Sequence, residues 1–436
     1  YLPLLPLSCV FYAFHDPALL LLMLLTVLVA YGSALRIARA TDVRGRKRSL
    51  RLCVFFDLTL LGLFKYLAFL GGCLSALFRG HLQLSLPSLP LPMGISFYIF
   101  QSLSYVLDVY RGRLQAERRV GLFTLYVIFF PQLVAGPIER AGDLLPQLED
   151  MRDPNREDLV SGLRLLLSGY AKKILIADVL APFVDTAYAD PLSVGGAAML
   201  CATLLFYAQI FCDFSGYTDI ARGCARLMGV RLSENFREPY LADSFQDFWH
   251  RWHITLSRFF LDAVYLPLGG NRKGRWKTGC NLLIVFLMSG LWHGANWTYV
   301  VWGAVHGLLL AAERMLPQRL RQSGSPILRR AFVFSMVTLS WIFFRAPDLA
   351  SAFRIFGLIL TDFRLAGCLT GLGMTPCEAV MTFGLLILVP LLSPQSLRTL
   401  SARRFLPVCL LILLILLSRC LTLSVSGDPA FLYFQF

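Results

Sequence analysis

The sequence predicts an all-α protein that crosses a membrane many times, and three observations predict it. Hydrophobic residues make up 56% of the 436-residue chain and charged ones 16%, a balance that suits a polytopic membrane protein better than two or three soluble domains. The apolar residues gather in runs near the length of about 20 that a spanning helix needs. The formal charge of +14 sits in short basic clusters between those runs, as in cytoplasmic loops, and not on one continuous face as in a nucleic-acid surface. The charge is therefore assigned to topology and to the anionic headgroups of membrane lipid, and no nucleic-acid partner is expected.

In chain order the runs cover residues 2–14, 19–31, 52–70, 93–110, 122–136, 159–189, 197–214, 282–302, 301–315, 331–344, 380–392 and 405–421. Several are short or carry Asp57, Lys65, Lys172, Lys173, Asp178 or Asp213, so some helices must be tilted, re-entrant or shielded from lipid by protein. The expectation is about 10 to 12 transmembrane or re-entrant helices. Pro131, Pro137 and the mixed charges up to Asp158 interrupt the pattern, so a re-entrant or surface-lying helix is expected between 122 and 159. The basic stretches 36–51, 111–119, 271–277, 313–322 with Arg329 and Arg330, and 396–404 are mostly separated by an even number of runs. One face holds them, and that face is cytoplasmic.

The longest polar stretch, 139–158, is far short of the 50 or so residues of a soluble domain. The chain thus reads as a single integral-membrane domain over 1–436, with a core motif region at 200–310 and an aromatic tail at 428–436. It opens inside an apolar run without Met, so residues before Tyr1 are expected. No internal repeat is evident, against an inverted-repeat transporter. Eleven cysteines stand singly in apolar surroundings, neither a disulfide framework nor a zinc site.

Of six histidines, His250, His253, His293 and His306 fall within 57 residues, while His15 and His81 lie apart. Residues 245–260 read as a helix introduced by Asp243 and Ser244. Trp249, Trp252, His253 and Leu256 share one face of it, and Asp247, Arg251, Thr255 and Arg258 another. Spacing alone is satisfied by a packed His253 bonded to a backbone carbonyl. His250 and His253 spell H-x-x-H, but no acidic residue stands at ligand spacing, so no metal is expected. His293 lies in SGLWHGANW, where Ser289, Gly290, Gly294 and Ala295 let a substrate or another backbone come close. A neutral imidazole in an apolar cavity can take a proton from a hydroxyl and return it to a leaving group. Holding helices together by hydrogen bonds is the other reading of the same residue.

Seven stretches carry a resemblance over nearly the whole chain: LPMGISFYIFQSLSYVLDVYRG (91–112), FFPQLVAGPIERAGDLLPQL (129–148), FCDFSGYTDIARG (211–223), NFREPY (235–240), FWHRWHITLSRFFLDAVYLPLGGNR (248–272), LWHGANW (291–297) and FLYFQF (431–436). Together they resemble the bacterial membrane-bound O-acyltransferases, above all the alginate and peptidoglycan O-acetyltransferase subfamily. PQLVAGPI favours that subfamily over the D-alanyl transferases of teichoic acid. The resemblance implies a helical bundle around a central tunnel, multi-pass in the bacterial cytoplasmic (inner) membrane. It makes His293 the catalytic histidine and His253 the second histidine of the motif. His250 stands where the family often has Arg and is read as a spectator; His306, where the family can also carry His, is read as packing.

The activity so implied moves an acetyl group from cytoplasmic acetyl-CoA, a co-substrate, through the tunnel towards a cell-surface glycan of alginate, peptidoglycan or exopolysaccharide type. Gly269, Gly270, Asn271, Arg272 and Lys273 would offer N–H groups and cations to the donor's phosphates, an ordinary positive-inside loop being the alternative. Asn296, Trp292 and Trp249 are candidates for supporting the tetrahedral oxyanion or lining the cavity. Tyr433, in the tail, is the candidate acyl relay to an extracytoplasmic SGNH-type acetyltransferase partner, with interfacial anchoring as its alternative. Asp213, Ser215, Tyr217 and Asp219 read as a structural polar cluster whose carboxylate pairs with Arg222 or Arg226, and Glu139 and Arg140 as lining an entrance. Two other functions stay open: a D-alanyl transferase, and a transporter or channel in which the histidines relay protons with Asp57, Asp178 or Asp213.

Overall fold

The computed structural model describes residues 2–14, 16–78, 86–87, 89–317, 323–393 and 396, and within them every regular element is a helix. In order these are α1 (Leu4–Ala13), α2 (Pro17–Arg39), α3 (Val43–Leu61), α4 (Leu67–Leu77), α5 (Ile95–Tyr110), α6 (Val120–Ile128), α7 (Ala141–Glu149), α8 (Arg156–Tyr170), α9 (Asp178–Ala189) and α10 (Pro191–Leu227). There follow α11 (Phe245–Arg251), α12 (Ile254–Phe260), α13 (Gly274–His293), α14 (Trp297–Met315), α15 (Pro326–Arg345), α16 (Leu349–Thr361), α17 (Cys368–Gly371) and α18 (Pro376–Leu391). Each apolar run up to residue 392 is helical in some part; the run 405–421 and the tail 428–436 lie outside the described residues.

Four stretches are long and apolar enough to cross a membrane among the described residues: Pro17–Arg39, Val43–Leu77, Pro191–Leu227 and Pro326–Arg345. This is fewer than the count of runs because the others are shortened by charges and breaks. The run 122–136 stops at Ile128, since Pro131 and Pro137 cannot donate to a continuing helix. The chain then turns into the short α7, within the interval 122–159 where the spanning pattern was expected to break.

Packing divides the chain into two compact units, Tyr1–Gly162 with Cys224–Ser233, and Leu163–Gly223 with Glu234 onward. In the first, α2 packs on α3 and α5, and α1 on α6. Gly94 opens α5 at φ +71°, where a Cβ would stand 2.5 Å from the Leu133 carbonyl oxygen, so only glycine fits. Glu139 does not line an opening in this unit: its carboxylate accepts the Ser233 N–H at 2.5 Å and the Ser233 hydroxyl at 2.9 Å. Arg140 turns to Asp108 at 3.2 Å.

The second unit holds two adjacent lysines in a π-helical stretch, Ala171–Ala177. Lys172 meets Asp219 at 2.7 Å, and Lys173 meets Asp213 at 2.7 Å and Asp178 at 2.8 Å. The expected pairing of a carboxylate in this cluster with Arg222 is met by Asp219 at 3.5 Å, while Asp213 pairs with Lys173. Arg222 is drawn to Asp219 and Glu234, and Arg226 to Asp158. Asp213 and Asp219, both buried, each have a cation in contact, which offsets the cost of taking them out of water. In the same unit α13 and α14 approach closely at Gly290 and Gly303, where a Cβ would stand 2.2 Å from the carbonyl oxygens of Tyr299 and Phe286. Small residues let the backbones touch.

Candidate functional site

Helix breaks, and not helix faces, set the direction of the histidines. Residues 245–260 do not form the single helix expected from their periodicity. Two helices of 7 residues, α11 and α12, meet at His253, whose φ of +44° lies in the left-handed region. The cause is a contact 18 residues upstream. The Asn235 carbonyl accepts the Ile254 N–H at 3.0 Å, and the Arg237 N–H donates to the Arg251 carbonyl at 2.9 Å, so the NFREPY segment replaces the helical bonds at the break.

Asn235 also fixes the proton on His253. Its side-chain Oδ1 accepts the Thr255 N–H at 3.2 Å and the Thr255 hydroxyl at 3.0 Å, and stands 3.1 Å from His253 Nδ1. An atom that accepts a backbone N–H is the amide's oxygen, so Nδ1 of His253 must be the protonated nitrogen facing it. In the neutral ring Nε2 then carries the lone pair, which makes His253 an acceptor for a proton. Its ring is buried, edge-on to Phe214 at 4.8 Å and to Trp292 at 6.1 Å.

His293 is the last residue of α13, buried against Trp292 at 4.9 Å, Trp302 at 5.1 Å and Phe344 at 5.3 Å. Trp292 thus touches both imidazoles. Gly294 follows because a Cβ there would run into the Tyr299 ring. Below this cluster a cavity of about 540 Å³ lies between α11, α12, α13 and α14. Leu282, Val285, Phe286 and Ser289 supply its α13 wall, a stripe whose next turn is Trp292 and His293. Trp249, His250, Arg258, Asn271, Glu313 and Arg314 complete it. The void stops at Ser289 and Trp249. His293 is not among its lining residues; Trp249, which is, lies 5.8 Å from Trp302, and the Trp302 ring is 5.1 Å from His293.

Several expected residues take other places. His250, read as a spectator, lines the cavity, because the break after α11 turns His253 to Asn235 and leaves His250 on the open side. Of the donor loop, Asn271 lines the cavity, but Gly269 and Gly270 do not present N–H groups: these donate to the Leu266 and Tyr265 carbonyls at 3.0 and 2.9 Å. Their positive φ values, +103° and +56°, build that turn. Arg272 and Lys273 are exposed beside it. Asn296 is not aimed at an oxyanion either. It caps α14, accepting the Thr298 N–H at 3.1 Å and donating to the Pro347 carbonyl at 2.7 Å. Trp249 keeps its candidacy: its indole nitrogen is buried with no hydrogen-bond partner among the described residues. His306 is fully buried and donates from Nε2 to Ser340 Oγ at 2.9 Å, since that hydroxyl's own proton goes to the Val337 carbonyl. Tyr433 lies outside the described residues. Among these residues no group of three or more His, Cys, Asp or Glu gathers as a metal site.

Residues 9–351 match the sequence model of the membrane-bound O-acyltransferase family. The chain is 39% identical to a probable alginate O-acetylase of Pseudomonas putida, across 98% of this chain and 93% of that protein. It is 34% identical to a peptidoglycan O-acetyltransferase of Helicobacter pylori over 80% of this chain and 71% of that one. A teichoic acid D-alanyltransferase of Streptococcus thermophilus is 29% identical over 50% of this chain and 55% of its own length.

Proposed function

The chain belongs to the membrane-bound O-acyltransferase family and is an O-acyltransferase of the membrane, and from that premise we propose that it passes an acetyl group from acetyl-CoA to a cell-surface glycan. The two acetyltransferase relatives cover most of this chain, the D-alanyl transferase only half, which supports an acetyl rather than a D-alanyl group. The membrane is the bacterial cytoplasmic one, and the donor enters from the face with the basic loops.

The observation that carries this reading is the α13 stripe from Leu282 to Ser289, which walls the cavity and leads in one further turn, about 6 Å, to His293. The cavity's lining has chemistry that suits an anionic donor: Arg258, Arg314, His250 and Asn271 with one carboxylate, Glu313. Its apolar floor of Val285, Phe286 and Leu310 suits a slender thioester arm. His293 takes the proton of the attacking hydroxyl, the oxygen adds to the thioester carbonyl, and the collapsing intermediate expels the thiol, which leaves with that proton. Trp249 N–H, buried beside the cavity, and the Trp292 indole, 4.9 Å from the His293 ring, are the donors to meet the oxyanion. His253, with its lone pair set by Asn235, is the second acceptor in the same aromatic cluster. The final glycan transfer is completed by an extracytoplasmic SGNH-type partner, with Tyr433 as the relay.

Asp178 and Asp213 are both engaged by Lys173, so neither supplies the histidines with a proton path, which weighs against a transporter. Purified protein in liposomes supplied with labelled acetyl-CoA tests the choice. Thioester consumption that vanishes in a folded His293→Ala variant is expected; intact thioester accompanied by solute flux would overturn the enzyme reading.

A further inference from the structure

The first unit carries a second cavity, far in sequence from the histidines. It is a groove of about 530 Å³ on the outer faces of α2 and α3. Leu28, Leu52 and Phe55 along it are 53%, 54% and 70% exposed, which in water would be a large unfavourable apolar surface and in a bilayer is a lipid-facing one. The spans that bear it are mostly open to their surroundings, only 33% and 22% of their apolar windows being buried by protein. Its floor is opened by Gly32, where a Cβ would meet nothing within 4 Å.

One end of the groove is marked by Arg36. Arg36 has no ion pair among the described residues, and the same holds for Arg39, Arg44, Lys47, Arg48 and Arg51 in the hairpin that follows. The single acidic residue of 36–51, Asp42, is occupied in capping α3 through the Gly45 N–H at 2.9 Å. Arg46 is the exception, donating to the Tyr110 carbonyl at 2.6 Å. An apolar trough about 12 Å long from Leu28 to Arg36 therefore runs into a cluster of uncompensated cations.

We propose that this groove is a binding site for one anionic phospholipid, its acyl chain laid over Gly32 between α2 and α3 and its phosphate held by Arg36 and the hairpin cations. Charge complementarity selects the headgroup: a zwitterionic lipid satisfies the trough equally but leaves the cluster unpaired. The site is independent of the acyltransfer chemistry and stands or falls separately from it.

Native mass spectrometry of the full chain released from nanodiscs of equal phosphatidylglycerol and phosphatidylcholine reads the occupancy. Wild type retains the anionic lipid in preference. Arg36→Gln lowers that preference about fivefold, the factor for one interfacial cation of ~1 kcal/mol. Gly32→Phe, which fills the floor in a helix that does not need glycine, abolishes retention of both lipids. Thr59→Phe, exposed on the facing helix, plugs the same trough from the other wall and serves if the glycine variant does not fold. Equal retention in wild type and the filled variants overturns the site. So does anionic preference that survives Arg36→Gln unchanged.

Discussion

The sharpest test of the site is Asn235→Ala. Asn235 is completely buried, and its Oδ1 accepts from three donors: His253 Nδ1 at 3.1 Å, Thr255 N–H at 3.2 Å and Thr255 Oγ at 3.0 Å. Each such bond contributes about 1 kcal/mol net, so the loss is about 3 kcal/mol, and about twice that if the orphaned donors stay dry. The backbone bonds at the break, Ile254 N–H to the Asn235 carbonyl and Arg237 N–H to the Arg251 carbonyl, are kept in this variant, so the loss is confined to the side-chain acceptor. The variant should unfold at clearly lower temperature in detergent. At temperatures where it remains folded, acetyl transfer in liposomes should fall at least tenfold, since the imidazole is no longer held in one tautomer and orientation. Asn235→Asp retains the acceptor oxygen and should recover most of the stability. Wild-type stability and turnover in Asn235→Ala would refute the claim that this amide sets the second histidine.

His250→Ala should raise KM for acetyl-CoA several-fold with kcat nearly kept, because the residue lines the cavity; a pure kcat loss in steady-state assays would place it in the chemistry instead. Asn296→Ala should cost about 1 kcal/mol of stability through the lost cap of α14. An oxyanion donor at that position would show a fall of about 10²–10³ in kcat, which the acetyl-transfer assay distinguishes at once. Tyr433→Phe, which removes the hydroxyl that would carry the acetyl group, should abolish acetylation of the glycan in a reconstituted system containing the extracytoplasmic partner; full transfer to the glycan disposes of the relay.

The helices were legible because each is a local matter of apolar length and punctuation. Pro131 and Pro137 announce the end of α6, and Asn296, a good capping residue, marks where α14 begins more sharply than hydropathy did. Two runs drawn there as 282–302 and 301–315 meet in fact at residues 294–296. Hydropathy could not see that break because Trp297 and Tyr299 are as apolar as the helix before them. The two lysines that meet Asp213 and Asp219 were not legible for a related reason. Lys172 and Lys173 are neighbours, and α-helical spacing turns neighbours about 100° apart; the wider π turn lets both be buried, each against its own carboxylate.

The direction of the imidazoles was beyond local reading, since it depends on a chain segment met only in three dimensions. Periodicity put Trp249 and His253 on one face and left His250 aside. With the helix broken by Asn235, Trp249 and His250 share the cavity wall through α11, and His253 belongs to the packing on Phe214 and Trp292. In the sequence, NFREPY is only one of the motifs that carry the resemblance. Its first residue is the acceptor that breaks the helix, orders Thr255 and decides which nitrogen of His253 bears a proton. A polar residue of this kind, fully buried beside an imidazole with all its bonds on one oxygen, turns a generic histidine into one with a defined proton inventory. Residue types name the chemistry that a membrane site can perform, and non-local hydrogen bonds of this kind decide which atom performs it.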